Sequence, residues 1–249
     1  RFVDPDAAVL RAREMAEQGA AIIDVGGESS RPGAEETDPE EELRRVVPVI
    51  ERLAGSIGAV LSIDTRHAAV AREAMRRGAS IINDISGLRH DPRMTAVARE
   101  TGAAVIVMHM RGTPATMQED PRYDDAPDEI IDWLAETTRA LVDGGTAADK
   151  IIVDPGIGFG KGLRDNLEII DRIGDFHTLG FPVCVGYSRK SFIGAVTGRK
   201  DPAGRVWGGM AAAARCLDAG VQILRVHDVA ETVDFVRVWR AIESGDGDS

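Results

Sequence analysis

Apolar and polar positions alternate in long blocks along this chain, and four blocks share one grammar. Gly19-AAIIDVGGE, Gly78-ASIINDISG, Gly102-AAVIVMHMRG and Gly220-VQILRVHDV each place a glycine, a small residue, an apolar run and a polar ending in order. Glycine is the usual residue just past a helix, where the left-handed conformation costs it nothing. The apolar runs are near-continuous, which predicts strands covered on both faces, as in a parallel sheet. Three further runs end the same way: VLSIDT (60–65), IIVDPG (151–156) and VCVGYSRK (183–190). The stretches between them suit helices. Several open on Asp-Pro (Asp4-Pro5, Asp38-Pro39, Asp91-Pro92, Asp201-Pro202), a capping residue with proline in the first turn.

Helices alternating with buried strands predict a single (β/α)8 barrel of the TIM type over residues 1–243, with a disordered tail at 244–249. The strand count reaches seven, because the first helix (about 4–18) has no strand before it. The expectation is therefore that the first strand and its loop are missing from the chain as given. An open doubly wound sheet is the other candidate, weakened because no nucleotide fingerprint follows the first strand.

Strand side chains alternate, so the repeat can be read by parity. Counted from each glycine, the fifth position holds Asp24, Asn83, Val107 and Arg225, and the seventh holds Gly26, Ile85, His109 and His227. These are expected to face the barrel interior. The fourth position (Ile23, Ile82, Ile106, Leu224) is expected to pack under helices. Taken singly, Asp24 and Asn83 read more readily as structural hydrogen-bonders. Asp64 reads equally as a cap for the next helix, and His109 as a satisfied core histidine. His67, His90 and His177 read as solvated, Asp84 as a loop brace and Arg189 as a brace behind Ser188 and Lys190. Polar groups ending nearly every strand are what packing does not require, since buried charge is costly unless paired.

The 249 residues carry 30 basic and 41 acidic side chains, a formal charge of -11. That disfavours nucleic acid or an anionic membrane as the main partner. Cys184 and Cys216 lack CxxC spacing, so neither a disulfide framework nor a structural zinc site is expected. With no long apolar run and no signal peptide, a soluble cytoplasmic protein is expected.

Seven motifs, DVGGESSRPGA, SIDT, INDISG, MHMRGTPATMQ, DPGIGFGK, GYSRKSFIG and RVHDV, occur in the order seen in bacterial dihydropteroate synthases, which this chain resembles over about residues 1–240. The resemblance implies a usually dimeric barrel that joins 6-hydroxymethyl-7,8-dihydropterin pyrophosphate to p-aminobenzoate, and which sulfonamides inhibit. It implies a pterin pocket from Asp64, Asn83, Asp154, Gly186, Lys190 and Arg225, with Met108 or Met110 in apolar contact. Ser30, Arg31, Pro32, Phe159, Ser188 and Lys190 would border the amine. Arg225 and His227 would hold the leaving pyrophosphate, and Lys190, Arg225, His227 and Asp64 would carry the catalysis. A magnesium ion would neutralise the diphosphate; the family's asparagine for it lies in an NVTPDSFSDGG-like loop that has no counterpart here. On that ground the chain is expected to bind pterin yet turn over poorly. Ser30 stands for a usual threonine and Ile157 for a common phenylalanine. A methyltetrahydrofolate-dependent corrinoid methyltransferase and a non-catalytic pterin-binding barrel are the alternatives.

Overall fold

A computed structural model describes residues 4–31 and 33–245 of the chain. Helices and strands alternate throughout: α1 (Pro5–Glu17), β1 (Ile22–Gly26), α2 (Pro39–Leu53), β2 (Val60–Asp64), α3 (Ala68–Arg76), β3 (Ile81–Asp84), α4 (Met94–Thr101), β4 (Ala104–Met108) and α5 (Ala126–Asp143). They continue with β5 (Ile151–Asp154), α6 (Leu163–Asp171), β6 (Cys184–Val185), α7 (Ser191–Thr197), α8 (Val206–Asp218), β7 (Ile223–Leu224) and α9 (Val229–Ser244). The strands run parallel in the order β1-β2-β3-β4-β5, and β6 pairs with β7. A bridge from Val153 to Val183 joins the two groups into one curved wall. This is a TIM-type (β/α) barrel, with seven strands among the described residues.

Local chemistry sets many of the boundaries. Asp4 caps α1 through the Asp6 N–H, and Asp38 caps α2 through the N–H groups of Glu40 and Glu41. Asp201 caps a short 3-10 turn. Asp91 does something else: it binds the Arg93 side chain and the Ala68 N–H, and α4 starts only at Met94. At the far end α9 takes in Ser244, with Gly245 as its left-handed cap. The expected tail therefore begins inside a helix, and its residues 246–249, like Pro32, lie outside the described residues.

Two apolar layers result. The larger lies between strands and helices and holds Ile23, Leu61, Ile63, Ile82, Val105, Val107, Val153 and Val183. The smaller fills the barrel axis with Ile81, Ile106 and Cys184, backed by Ile22, Ala104, Ile152 and Ile223. The parity read from sequence holds for β1, β3 and β7 and fails for β4. There Ile106 faces inward beside Asn83, its register partner, while Val107 packs under the helices. The cause is one residue of connection. α4 runs straight into Gly102, and β4 opens at Ala104, two residues on. After Gly19 and Gly78 the strands open three residues on, at Ile22 and Ile81. A one-residue slip turns every side chain of a strand over. Cys184 and Cys216 are free, buried thiols.

Candidate active site

One rung above the axial apolar layer, toward the C-terminal strand ends, most inward positions give up their apolar side chains. Ile22 is followed two residues on by Asp24, Ile81 by Asn83, Ile152 by Asp154, Cys184 by Gly186 and Ile223 by Arg225. Barrel enzymes place their chemistry at this end.

Arg225 organises one side. Its Nε donates to Asp24 Oδ2 at 2.7 Å and its Nη2 to Asp64 Oδ2 at 2.9 Å, so a single guanidinium links β7 to β1 and β2. Asn83 donates to the same Asp24 oxygen at 2.9 Å. Burial, and then the neighbouring Asp24 carboxylate, push the Asp64 pKa up to about 7, with Arg225 opposing them. Asp24 in turn holds Arg225 firmly charged. The Arg225 side chain is still 44% exposed, which leaves it within reach of a ligand.

Opposite stand Asp154 and Lys190. Asp154 is buried and accepts the Gly156 N–H at 2.7 Å; burial raises its pKa, while Lys190 counteracts. Lys190 donates to the Ile157 carbonyl and sits 4.6 Å from the centre of the Phe159 ring. Its pKa falls to about 8 through burial, partly offset by Asp154. Gly186 separates the two cations: a Cβ there would lie 3.7 Å from Lys190 Nζ and 3.8 Å from Arg225 Cβ. The glycine run after β5 is needed for close approach of backbone. At Gly156, where φ is +70°, a Cβ would meet the His109 carbonyl oxygen at 1.9 Å.

Ser188 and His227 form the rim. Ser188 Oγ accepts the His227 N–H and lies 3.2 Å from His227 Nδ1. Burial, and then Arg189, lower the His227 pKa. Arg189 adopts φ 60° and forms a two-pronged pair with Asp228, bracing this turn as its parity suggests. Asp84 braces the turn after β3 through the Ser86 N–H and hydroxyl.

Asp64, Asn83 and Asp154 thus stand at the ends of their strands and Gly186 and Arg225 one residue beyond theirs, with Lys190, at the start of α7, and Phe159, Ser188 and His227 beside them on the loops. Ser30 and Arg31 lie on the loop after β1, which is tied instead to a neighbouring turn by Gly33 N–H to Pro114 O at 3.0 Å. Among the described residues no hydrogen bond links their side chains to the Arg225 cluster. Asp24, which the resemblance does not include, joins the cluster through Asn83 and Arg225, and the parity it shares with both is the sequence signal for it. His109 does not face the interior. With β4 turned over, it is buried against Trp133 at 5.0 Å, and Lys161 donates to its Nδ1 at 3.0 Å. Burial, and then Lys161, press its pKa down to about 2. Met108 takes the inward place. His67 is not solvated either: it is buried between two carboxylates, Glu42 and Glu36.

The sequence profile described as pterin binding enzyme matches residues 1–227. A dihydropteroate synthase of Escherichia coli K12 is 45% identical over 234 residues, covering 94% of this chain and 82% of that protein. The crystal structure of Yersinia pestis dihydropteroate synthase in a sulfonamide drug complex superposes with a TM-score of 0.94 at 42% identity, over 97% of this chain and 87% of that one. The Xanthomonas albilineans dihydropteroate synthase in complex with 7,8-dihydropteroate gives a TM-score of 0.87 at 39% identity, over 96% and 85%.

Proposed function

This chain belongs to the pterin-binding enzyme family and is a dihydropteroate synthase, and we propose that the side chains above carry the reaction: 6-hydroxymethyl-7,8-dihydropterin pyrophosphate plus p-aminobenzoate gives 7,8-dihydropteroate plus pyrophosphate, a step of folate synthesis that sulfonamides block. The observation that supports these roles is the convergence of Asp24, Asp64, Asn83, Asp154, Lys190 and Arg225 on one barrel mouth.

A pterin presents an amide N–H and an amino group side by side, which the Asp154 carboxylate can accept together. Asn83 and Lys190 can then serve its carbonyl and ring nitrogen. The bond that breaks joins the pterin methylene to the diphosphate oxygen, and the electron pair leaves on that oxygen. The methylene cation is spread into the ring, the amine nitrogen attacks it, and the amine proton is lost to water. Catalysis therefore needs donors at the leaving oxygens more than a strong base. Arg225, His227 and Ser188 are those donors. Phe159, Lys190, Ser188, Ser30 and Arg31 border the amine in this proposal, with the loop after β1 ordering once diphosphate is bound.

Magnesium is the proposed cofactor, and Asp24 tests the fit. Its Oδ1 is buried with no hydrogen-bond partner, while Oδ2 already takes Asn83 and Arg225. One carboxylate oxygen beside diphosphate oxygens and water is a set that Mg2+ accepts. Asp24 is the residue of this chain that would hold the ion, whose chemistry when bound is to neutralise diphosphate charge. A homodimer and a cytoplasmic location belong to the same proposal; among the described residues no helix is long and apolar enough to cross a membrane.

The test is product formation from pterin pyrophosphate, labelled p-aminobenzoate and Mg2+ across pH. The expected kcat/KM profile is a bell. Below about 7 Asp64 gains a proton and its bond with Arg225 weakens; above about 8 Lys190 loses its proton and its hold on the pterin. Diphosphate release without the amine is expected to be measurable. No product at any pH, or a rate flat from pH 5 to 10, contradicts the assignment.

A further inference from the structure

Beside this mouth, three side chains that the reaction does not use point at one another. Glu36, in the segment after β1, sets Oε1 3.2 Å from His67 Nε2 and 3.1 Å from His90 Nε2. The two rings meet edge to face with centroids 5.2 Å apart, and one donor atom from each of the three residues lies within 4.8 Å of the others. Behind them Glu42, wholly buried, holds His67 Nδ1 at 2.7 Å. A carboxylate against one ring nitrogen fixes the tautomer whose other nitrogen faces a metal.

We propose that Glu36, His67 and His90 form a site for a divalent transition metal, zinc above all, with Glu42 orienting His67. Two imidazole nitrogens and one carboxylate oxygen are a donor set zinc takes readily, leaving a position for water. Magnesium and calcium, which call for all-oxygen surroundings, are poorly served. The charges balance as well. Glu36 and Glu42 supply two negative charges, whereas the nearby Arg66 is already matched by Glu28 through bonds of 2.9 and 2.8 Å.

Without metal, His67 bridges two carboxylates. Burial works against its charge, but the bonds to Glu42 and Glu36 outweigh it and raise its pKa. Metal binding replaces the Nε2 proton, which goes to solvent. His90 Nδ1 faces Arg66 Nη1 at 3.4 Å. That long contact is given up when His90 carries its proton on Nδ1, while Arg66 keeps both bonds to Glu28. The ion would pin together the segments that follow β1, β2 and β3. The first of these carries Ser30 and Arg31, so an effect on amine affinity rests on the function proposed above; the site itself does not.

The experiment titrates chelator-treated protein with Zn2+ against a chromophoric zinc indicator in magnesium-free buffer, and with Co2+ followed by visible absorption. One equivalent of Zn2+ and a Co2+ spectrum of four- or five-coordinate form are expected. Glu36→Gln and His90→Asn, at partly exposed positions, should weaken binding more than about tenfold, and Glu42→Gln by about 10–100-fold. His177→Gln should change nothing, since that ring is turned to the Ala219 carbonyl at 2.9 Å. No Zn2+ competed from the indicator, or equal binding by wild type, Glu36→Gln and His90→Asn, overturns the site. Either result leaves dihydropteroate formation untouched, so the two proposals fail separately.

Discussion

Arg225→Ala is expected to lower kcat for dihydropteroate formation by about 10²–10³-fold, the usual loss when a donor to developing negative charge is removed. In the free protein its guanidinium is shared between Asp24 and Asp64, at 2.7 and 2.9 Å, and stays accessible from the mouth. Charge grows on the diphosphate as its bond to the methylene breaks, so the contact strengthens along the reaction and its loss shows in kcat. Lys190→Ala should behave differently. Lys190 contacts the Ile157 carbonyl and the Phe159 ring, beside the pterin position, so its removal raises KM as well. Both variants should keep the wild-type circular dichroism. Unchanged turnover in both would refute the site assignment.

Arg66→Met is expected to destabilise the fold by about 3–5 kcal/mol, the cost of stranding one charge of a buried pair. Arg66 and Glu28 each keep only 7% of the side chain exposed, and two parallel bonds of 2.8 and 2.9 Å join them. Urea unfolding checks it, and the double change Glu28→Gln with Arg66→Met should recover part of the loss, since the two positions interact directly. The Arg122–Asp120 pair, with 82% and 72% of its side chains exposed, should by contrast be nearly silent when broken, because water screens it. An Arg66→Met midpoint equal to wild type contradicts the burial argument.

Where a physical rule acts on neighbouring residues, the structure could be read from the chain. Glycine after most helices, unbroken apolar strands and polar strand ends place the barrel and bring Asn83, Asp154 and Arg225 to its mouth. Parity fails at β4 because the glycine that ends α4 lies one residue nearer its strand than the glycine after α3 does, Gly102 to Ala104 against Gly78 to Ile81, a difference that the repeat counted from each glycine does not display. Asp24 is hard to read from the chain for a related reason. Alone it is an ordinary strand carboxylate, and only closure of the wall brings Arg225, two hundred and one residues away, against it. The His67 environment depends on Glu36 and Glu42, one from an irregular loop and one from a helix, so no local periodicity reports it. Loops at the rim, including Ser30 and Arg31, follow tertiary contacts such as Gly33 to Pro114 rather than spacing.

Calorimetric titration with 6-hydroxymethyl-7,8-dihydropterin pyrophosphate in Mg2+ addresses the shared cavity most directly. The expected result is one equivalent bound by wild type, at least about tenfold weaker binding by Asp154→Asn and by Lys190→Ala, and little affinity for methyltetrahydrofolate. Equal binding by all three proteins, or tight binding of methyltetrahydrofolate with indifference to the pterin pyrophosphate, would contradict it.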